Sequence, residues 1–228
     1  MTPVPYRPPW LPGIHPVHVS MLTFERQYWE RGHQAIAGLD EAGRGPLAGP
    51  VVAAAVIFDR EWVTAEQHGS LKNLNDSKQL TEKQREHFFD ILTNLDTIVY
   101  GLGQAEAGEV DRLNILQATY EAMRRAVTSL PSAPDLILVD GKAVPRLPGP
   151  SENLIKGDRR SLSIAAASVI AKVTRDRLMR AYATAYPVYG FERHKGYGTK
   201  LHMAALNEHG PCPIHRNSFK PVCQLRLF

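Results

Sequence analysis

Beyond the first twenty residues, apolar and polar positions follow two rhythms. Short unbroken apolar runs, Ala35-Ile36-Ala37-Gly38-Leu39 and Val51 to Phe58, flank a Gly/Pro-rich link and predict two buried strands. Ile98 to Leu102 and Asp135 to Val139 predict two more, and a short apolar piece, Asn153 to Ile155, follows a loop holding Pro145, Pro148 and Pro150. Helical signals lie between them. Thr81 before Glu82-Lys83-Gln84 has N-cap chemistry and predicts a helix to about Leu95. Asp111 is a candidate cap for a helix from Arg112 to Leu130, and Ser161 or Ser163 for a long one to about Tyr182. The latter opens on Ile164-Ala165-Ala166-Ala167-Ser168, small enough to pack closely on a sheet. Strands alternating with helices predict an α/β fold.

Composition narrows the class. With 228 residues, 43% hydrophobic and 22% charged, the chain is neither collagen-like, coiled-coil nor wholly disordered. Two cysteines, Cys212 and Cys223, make no disulfide framework and suit a reducing compartment. No run reaches the roughly 18 apolar residues of a membrane span, so a soluble cytoplasmic protein is expected. Residues 1 to 20 carry six prolines and almost no charge, which predicts a mobile extension, taken as 1–33. A net charge of +4, with a locally basic end from residue 193 onward, hints at a polyanionic partner.

Three acidic positions stand out. Asp40-Glu41 ends the first predicted strand and runs into Gly43-Arg44-Gly45; taken alone, the dyad is equally a pair of solvated acids before a turn. Asp140 ends the fourth strand, where open α/β sheets place their chemistry. Asp158 sits in Lys156-Gly157-Asp158. Two unit charges about 4 Å apart repel by roughly 4 kcal/mol at an effective dielectric of 20. Four carboxylates that meet must therefore protonate or share cations, and hard oxygen ligands select Mg²⁺ or Mn²⁺. Asp176 follows Lys172 by four residues in a predicted helix and reads as an ion pair. His209, Cys212, His215 and Cys223 have zinc-ligand types, but proline interrupts their spacing and zinc is not expected.

From Gln34 to Val222 the sequence resembles the ribonuclease HII family, through DEAGRGPLAGPVVAAAV (40–56), LNDSKQL (74–80), VDGK (139–142), KGD (156–158), SIAAASVIAKVTRDRLM (163–179), GFERHKGYGT (190–199) and HRNSFKPV (215–222). The resemblance implies a ribonuclease H-like fold, a mixed twisted sheet with helices on both faces and a helical C-terminal segment, over 34–222. It implies cleavage of RNA in RNA–DNA hybrids, and cutting 5′ to single ribonucleotides in duplex DNA, with two Mn²⁺ or Mg²⁺ ions. Asp40, Glu41, Asp140 and Asp158 match the metal-binding acids; Gly43, Arg44 and Gly45 match the junction reader and Tyr197 the ribose reader. Lys78 is expected at a phosphate. Lys142 departs from the asparagine of many relatives, at a position that binds no metal. The tail, 223–228, ends in Gln224-Leu225-Arg226-Leu227-Phe228, which looks like a sliding-clamp peptide, with Gln224, Leu225, Leu227 and Phe228 as contacts. A monomer is expected. A junction resolvase or transposase-like nuclease, a non-catalytic hybrid-binding module and a carboxylate-pair glycosidase are the alternatives.

Overall fold

The computed structural model describes residues 20–225. Five strands, β1 (Ile36–Ala42), β2 (Val51–Phe58), β3 (Ile98–Ala105), β4 (Leu136–Asp140) and β5 (Ser151–Leu154), form one mixed sheet in the order β3-β2-β1-β4-β5. The hairpin partners β1–β2 and β2–β3 are antiparallel, whereas β4 and β5 run parallel to β1. The helices are α1 (Thr23–Glu30), α2 (Arg60–Glu66), α3 (Glu82–Asn94), α4 (Ala107–Leu113), α5 (Ile115–Thr128), α6 (Leu162–Ala185), α7 (Phe191–His194), α8 (Lys200–His209) and α9 (Lys220–Leu225).

β1 and β2 are apolar without alternation because both faces of the sheet are covered. One face packs on α6, through Ile164, Val169 and Ile170, and the other on α5, through Ala118, Ala122 and Ala126. Gly38 sets how closely α6 approaches. A Cβ at that position would lie 2.1 Å from the Ser163 carbonyl carbon and 2.3 Å from the Ile164 nitrogen, so helix and strand touch backbone to backbone. Ser161 caps α6, accepting from the Ile164 amide, as its position before the small-residue run predicts. The Thr81 cap of α3 is a full capping box with Gln84.

Two expectations need correction. The extension does not reach residue 33: α1 lies on the core, with Leu22, Tyr28 and Trp29 buried. Its Glu25 is 1% exposed and accepts from both Ser161 Oγ (2.6 Å) and Ser163 Oγ (2.7 Å). At eight residues, α1 is shorter than the window of roughly 11 over which helical periodicity can be read along a sequence. Second, Asp111 caps nothing. The chain breaks at Asn114, whose φ of 67° ends α4 and whose side chain caps α5. Asp111 instead accepts from the backbone and side chains of Asn217 and Ser218, tying the C-terminal segment to the α4–α5 corner.

That segment forms its own small core. Phe191, Leu206, Ile214 and Val222 pack around Met179 near the end of α6, beside Leu47 and Ala48 of the β1–β2 link. Gly38→Ala is expected to cost about 3 kcal/mol, the upper range for an overpacked core, because both neighbours are main chain and cannot give way. Denaturant unfolding measures it, and a stability within about 0.5 kcal/mol of the parent, as at ordinary surface sites, would contradict it.

Candidate active site

The strand ends bring three acids together. Asp40 on β1, Asp140 at the end of β4 and Asp158 in the 3₁₀ turn before α6 each place one carboxylate oxygen within 4.8 Å of the others. β1 and β4 are neighbours in parallel register, Leu39 opposite Val139, so their next residues emerge side by side. The turn is drawn in by the Gly157 amide, which donates to Asp140 Oδ1 at 2.7 Å. Asp40 and Asp158 are only 5% and 6% exposed. Burial, then Glu41 and Asp140, raise the Asp40 pKa well above its ordinary value. Burial, then Asp140 and Asp76, push Asp158 up to about 6, against the pull of Lys78 and Arg159. Such a cluster of hard oxygens, deprived of water and charged together, is chemically suited to a divalent cation.

Glu41 is not in that trio. β1 continues through Ala42, so Asp40 and Glu41 leave the strand on opposite sides, and Glu41 pairs with Arg44 at 3.0 Å. It stays at the site's edge, lining two clefts of about 380 and 330 Å³, the second of which Asp140 also lines.

Gly43, Arg44, Gly45, Lys78, Lys172 and Tyr197 line the larger cleft. Two buried arginines shape it. Arg175 and Arg216 are buried beneath the β1–β2 link with no carboxylate partner among the described residues. Arg175 donates to the carbonyls of Pro50, Lys195 and Ala48. Arg216 donates through Nε, Nη1 and Nη2 to the carbonyls of Gly49, Arg44, Pro46 and Gly43, at 2.6 to 3.0 Å. Burial lowers both guanidinium pKa values, to about 10 and about 9, which leaves them charged at neutral pH. Gly43, at φ 95°, has no room for a Cβ, which would meet Arg175 Nε at 2.0 Å. With its carbonyls turned inward, the link leaves the amides of Gly43, Arg44 and Gly45 without an acceptor among the described residues. Arg216 follows His215 in the HRNSFKPV run; nothing in a single sequence marks it as buried.

Tyr197, 47% exposed, faces this link, and a Cβ on Gly45 would lie 3.6 Å from its ring. Lys78 lines the same cleft. Burial works against its charge, but Asp40, Asp76, Asp158 and Asp140 together raise its pKa. Lys172 and Asp176 form the expected pair at 2.7 Å. The four zinc-type residues do not assemble: Cys212 meets His215, but His209 lies against Tyr189 and Cys223 bonds the Lys220 carbonyl. Gln224 ends exposed on α9, while the Leu225 side chain, Leu227 and Phe228 lie outside the described residues.

The family model described as Ribonuclease HII matches residues 37–222. The chain belongs to the ribonuclease HII family. Ribonuclease HII of Syntrophotalea carbinolica is 52% identical over 204 residues, covering 90% of this chain and 94% of that one. Ribonuclease HII of Bacillus pumilus is 50% identical over 209 residues, 92% of this chain and 79% of the relative. Among solved structures, ribonuclease H2 of Pyrococcus horikoshii superposes with a TM-score of 0.69 at 28% identity, covering 85% of this chain and 97% of that one. The fold alone is shared with the ribonuclease HII of Archaeoglobus fulgidus solved with PCNA, at TM-score 0.64 and 22% identity over 81% of this chain and 95% of that one. The same holds for Bst-RNase HIII in complex with Mn²⁺, at 0.65 and 17% over 86% and 70%. The ribonuclease H-like sheet implied by the sequence motifs is thus the observed one.

Raised carboxyl pKa values carry a sign. Between the unfolded value near about 4 and the folded value of about 6 for Asp158, the folded chain holds protons that the unfolded chain has released. Metal-free stability from this source is present at low pH and lost as pH rises through that window. A cation that replaces the protons therefore stabilises more at about pH 8 than at about pH 5. Thermal melts with chelator and with Mn²⁺ should show the larger metal-induced rise at the higher pH; equal rises would refute the site.

Proposed function

We infer that the protein is a metal-dependent endonuclease that hydrolyses the RNA strand of RNA–DNA hybrids and cuts on the 5′ side of single ribonucleotides in duplex DNA. The observation that carries this reading is the convergence of Asp40, Asp140 and Asp158 beside a cleft walled by Arg44, Lys78 and Tyr197. These acids, with Glu41 at the edge, would hold two Mn²⁺ or Mg²⁺ ions. When bound, such ions lower the pKa of the attacking water and stabilise the leaving 3′-oxygen, giving a 3′-hydroxyl and a 5′-phosphate.

The chain's own residues supply position and selection. Lys78 and Arg44 are cations at the cleft, suited to phosphates. The amides of Gly43 to Gly45 donate to the ribose and its phosphate, and Tyr197 lies against the same sugar. Selection depends on the 2′-hydroxyl, since a site built to pair that group penalises its absence. For Glu41 to join the ions, its pair with Arg44 opens, which frees the guanidinium for the phosphate in the same movement.

We also propose that the C-terminal peptide, Gln224, Leu225, Leu227 and Phe228, docks on a sliding clamp, with the enzyme acting as a cytoplasmic monomer. The Archaeoglobus fulgidus ribonuclease HII solved with PCNA supports this reading.

The decisive assay is cleavage of a duplex carrying one ribonucleotide, with Mg²⁺, Mn²⁺ or chelator. Asp140→Asn is expected to abolish turnover while retaining duplex affinity, and a fully active variant would refute the assignment. Tyr197→Phe is expected to slow cleavage at the ribonucleotide by about tenfold, the loss of one useful hydrogen bond. Deleting residues 224–228 should eliminate clamp pull-down and leave cleavage of naked duplex intact; unchanged pull-down would end the clamp proposal.

A further inference from the structure

Behind Tyr197 lies a buried cluster of imidazoles that the cleavage chemistry does not use. His194, His202 and His215 are 8%, 0% and 1% exposed and sit among Phe191 and Tyr189, with the His194 and His202 rings stacked 4.5 Å apart. Three of their hydrogen bonds form a line. The Cys212 amide donates to His215 Nδ1 at 2.9 Å; His215 Nε2 lies 3.0 Å from His202 Nε2; His202 Nδ1 lies 2.9 Å from the Tyr197 carbonyl oxygen.

The partners assign the protons along that line. His215 Nδ1 lies 2.9 Å from the Cys212 amide, which can only donate, and 3.3 Å from the Cys212 carbonyl, which already accepts from the His215 amide; the shorter contact leaves Nδ1 bare and puts the proton on Nε2. That N–H donates to His202 Nε2, which is bare in turn, and the His202 proton sits on Nδ1, where the Tyr197 carbonyl accepts it. A second proton on His202 would set its Nε2–H against that of His215 at 3.0 Å, and one on His215 would set Nδ1–H against the Cys212 amide at 2.9 Å. Burial lowers the pKa of both residues, that of His215 to about 4, so both rings stay neutral at working pH.

The end of the line is the segment that carries the aromatic wall of the cleft. Tyr197 stands between α7 and α8, its amide donating to the His194 carbonyl and its own carbonyl accepting from Thr199 and His202. The start of the line is no less connected. His215 bridges to Ala48, and the Arg216 amide next to it bonds the Leu47 carbonyl. Leu47 donates to the Gly196 carbonyl. The glycine link and Tyr197 thus share one buried hinge.

We propose that His202 and His215 form a one-way hydrogen-bond relay that fixes the main chain of Tyr197, and so sets where its ring meets the ribose: they are positioning residues for sugar selection. The relay rests on the reading of Tyr197 as a sugar contact. A shift in that backbone misplaces the reacting sugar while leaving the phosphate contacts along the rest of the duplex in place, so the rate suffers more than affinity.

Two substitutions separate this role from simple packing. In His202→Asn the side-chain amide reproduces Nδ1 and can still donate to Tyr197; in His202→Gln it reproduces Nε2, keeping the His215 contact and losing Tyr197. Both leave a comparable void and should melt at similarly reduced temperatures. On a duplex with one ribonucleotide, His202→Gln is expected to lower kcat by roughly tenfold with little change in KM, and His202→Asn to stay within about threefold of the parent. In a Tyr197→Ala background the Asn and Gln variants should no longer differ. Equal kcat for the two, or a difference that survives Tyr197→Ala, overturns the relay. A Tyr197→Ala enzyme with parental kcat instead overturns the sugar-contact reading, and the relay with it. Should the variants misfold, ¹⁵N NMR of the unaltered protein reads the tautomers directly: Nδ1–H on His202 and Nε2–H on His215 at neutral pH support the relay, and the reverse pair refutes it.

Discussion

The arrangement of the cleft depends on two positive charges that no acid among the described residues neutralises. Arg175 and Arg216 are buried under the β1–β2 link, and the groups that solvate them are main-chain carbonyls. Arg216 makes five such bonds, matching the five N–H groups of a guanidinium. A buried charge is costly unless its whole hydrogen-bonding shell is filled, so the link must curl around these side chains with its oxygens inward. With the Gly43 and Arg44 carbonyls taken up by Arg216, the amides of Gly43 to Gly45, the proposed readers, have no acceptor among the described residues. Lysine could not do the same, having three donors on a point charge instead of a planar fork.

The acids obey a different constraint. They come from two parallel neighbouring strands and from the turn that leads into α6, so chain topology alone brings them close. Parallel register makes the residues after Leu39 and Val139 neighbours, and the Gly157 amide pulls the third acid in by bonding the second. Mutual repulsion is then built into the fold, and the same crowding that destabilises the metal-free chain is what makes a cation welcome there.

Much of this was legible in the sequence, for reasons that differ by residue. Apolar runs bounded by glycine and proline marked all four long strands, and Ser161 and Thr81 marked helix starts by their capping chemistry. Asp40, Asp140 and Asp158 could be placed because strand ends are where carboxylates do chemistry. The motif also points to Glu41; strand alternation carries through Ala42, and its carboxylate pairs with Arg44 at the edge of the trio. Asp111 was misread because a carboxylate before an apolar stretch resembles a cap, whereas its partners, Asn217 and Ser218, lie over a hundred positions away along the chain. Nothing local marks Glu25, Arg175, Arg216 or His202: each is a polar group buried by tertiary packing, which no periodicity announces.

The backbone contact at Gly38 has a consequence for how the enzyme can adapt. Where β1 and α6 touch main chain to main chain at Gly38, there is no side chain whose exchange could tune the spacing, so the platform holding Asp40 and Asp158 is fixed at that point. Adjustment to a hotter or colder habitat must then fall on outer layers that can change without moving the platform. The Glu86 bridges to Arg177 and Arg180, which lace α3 to the solvent side of α6, offer that freedom.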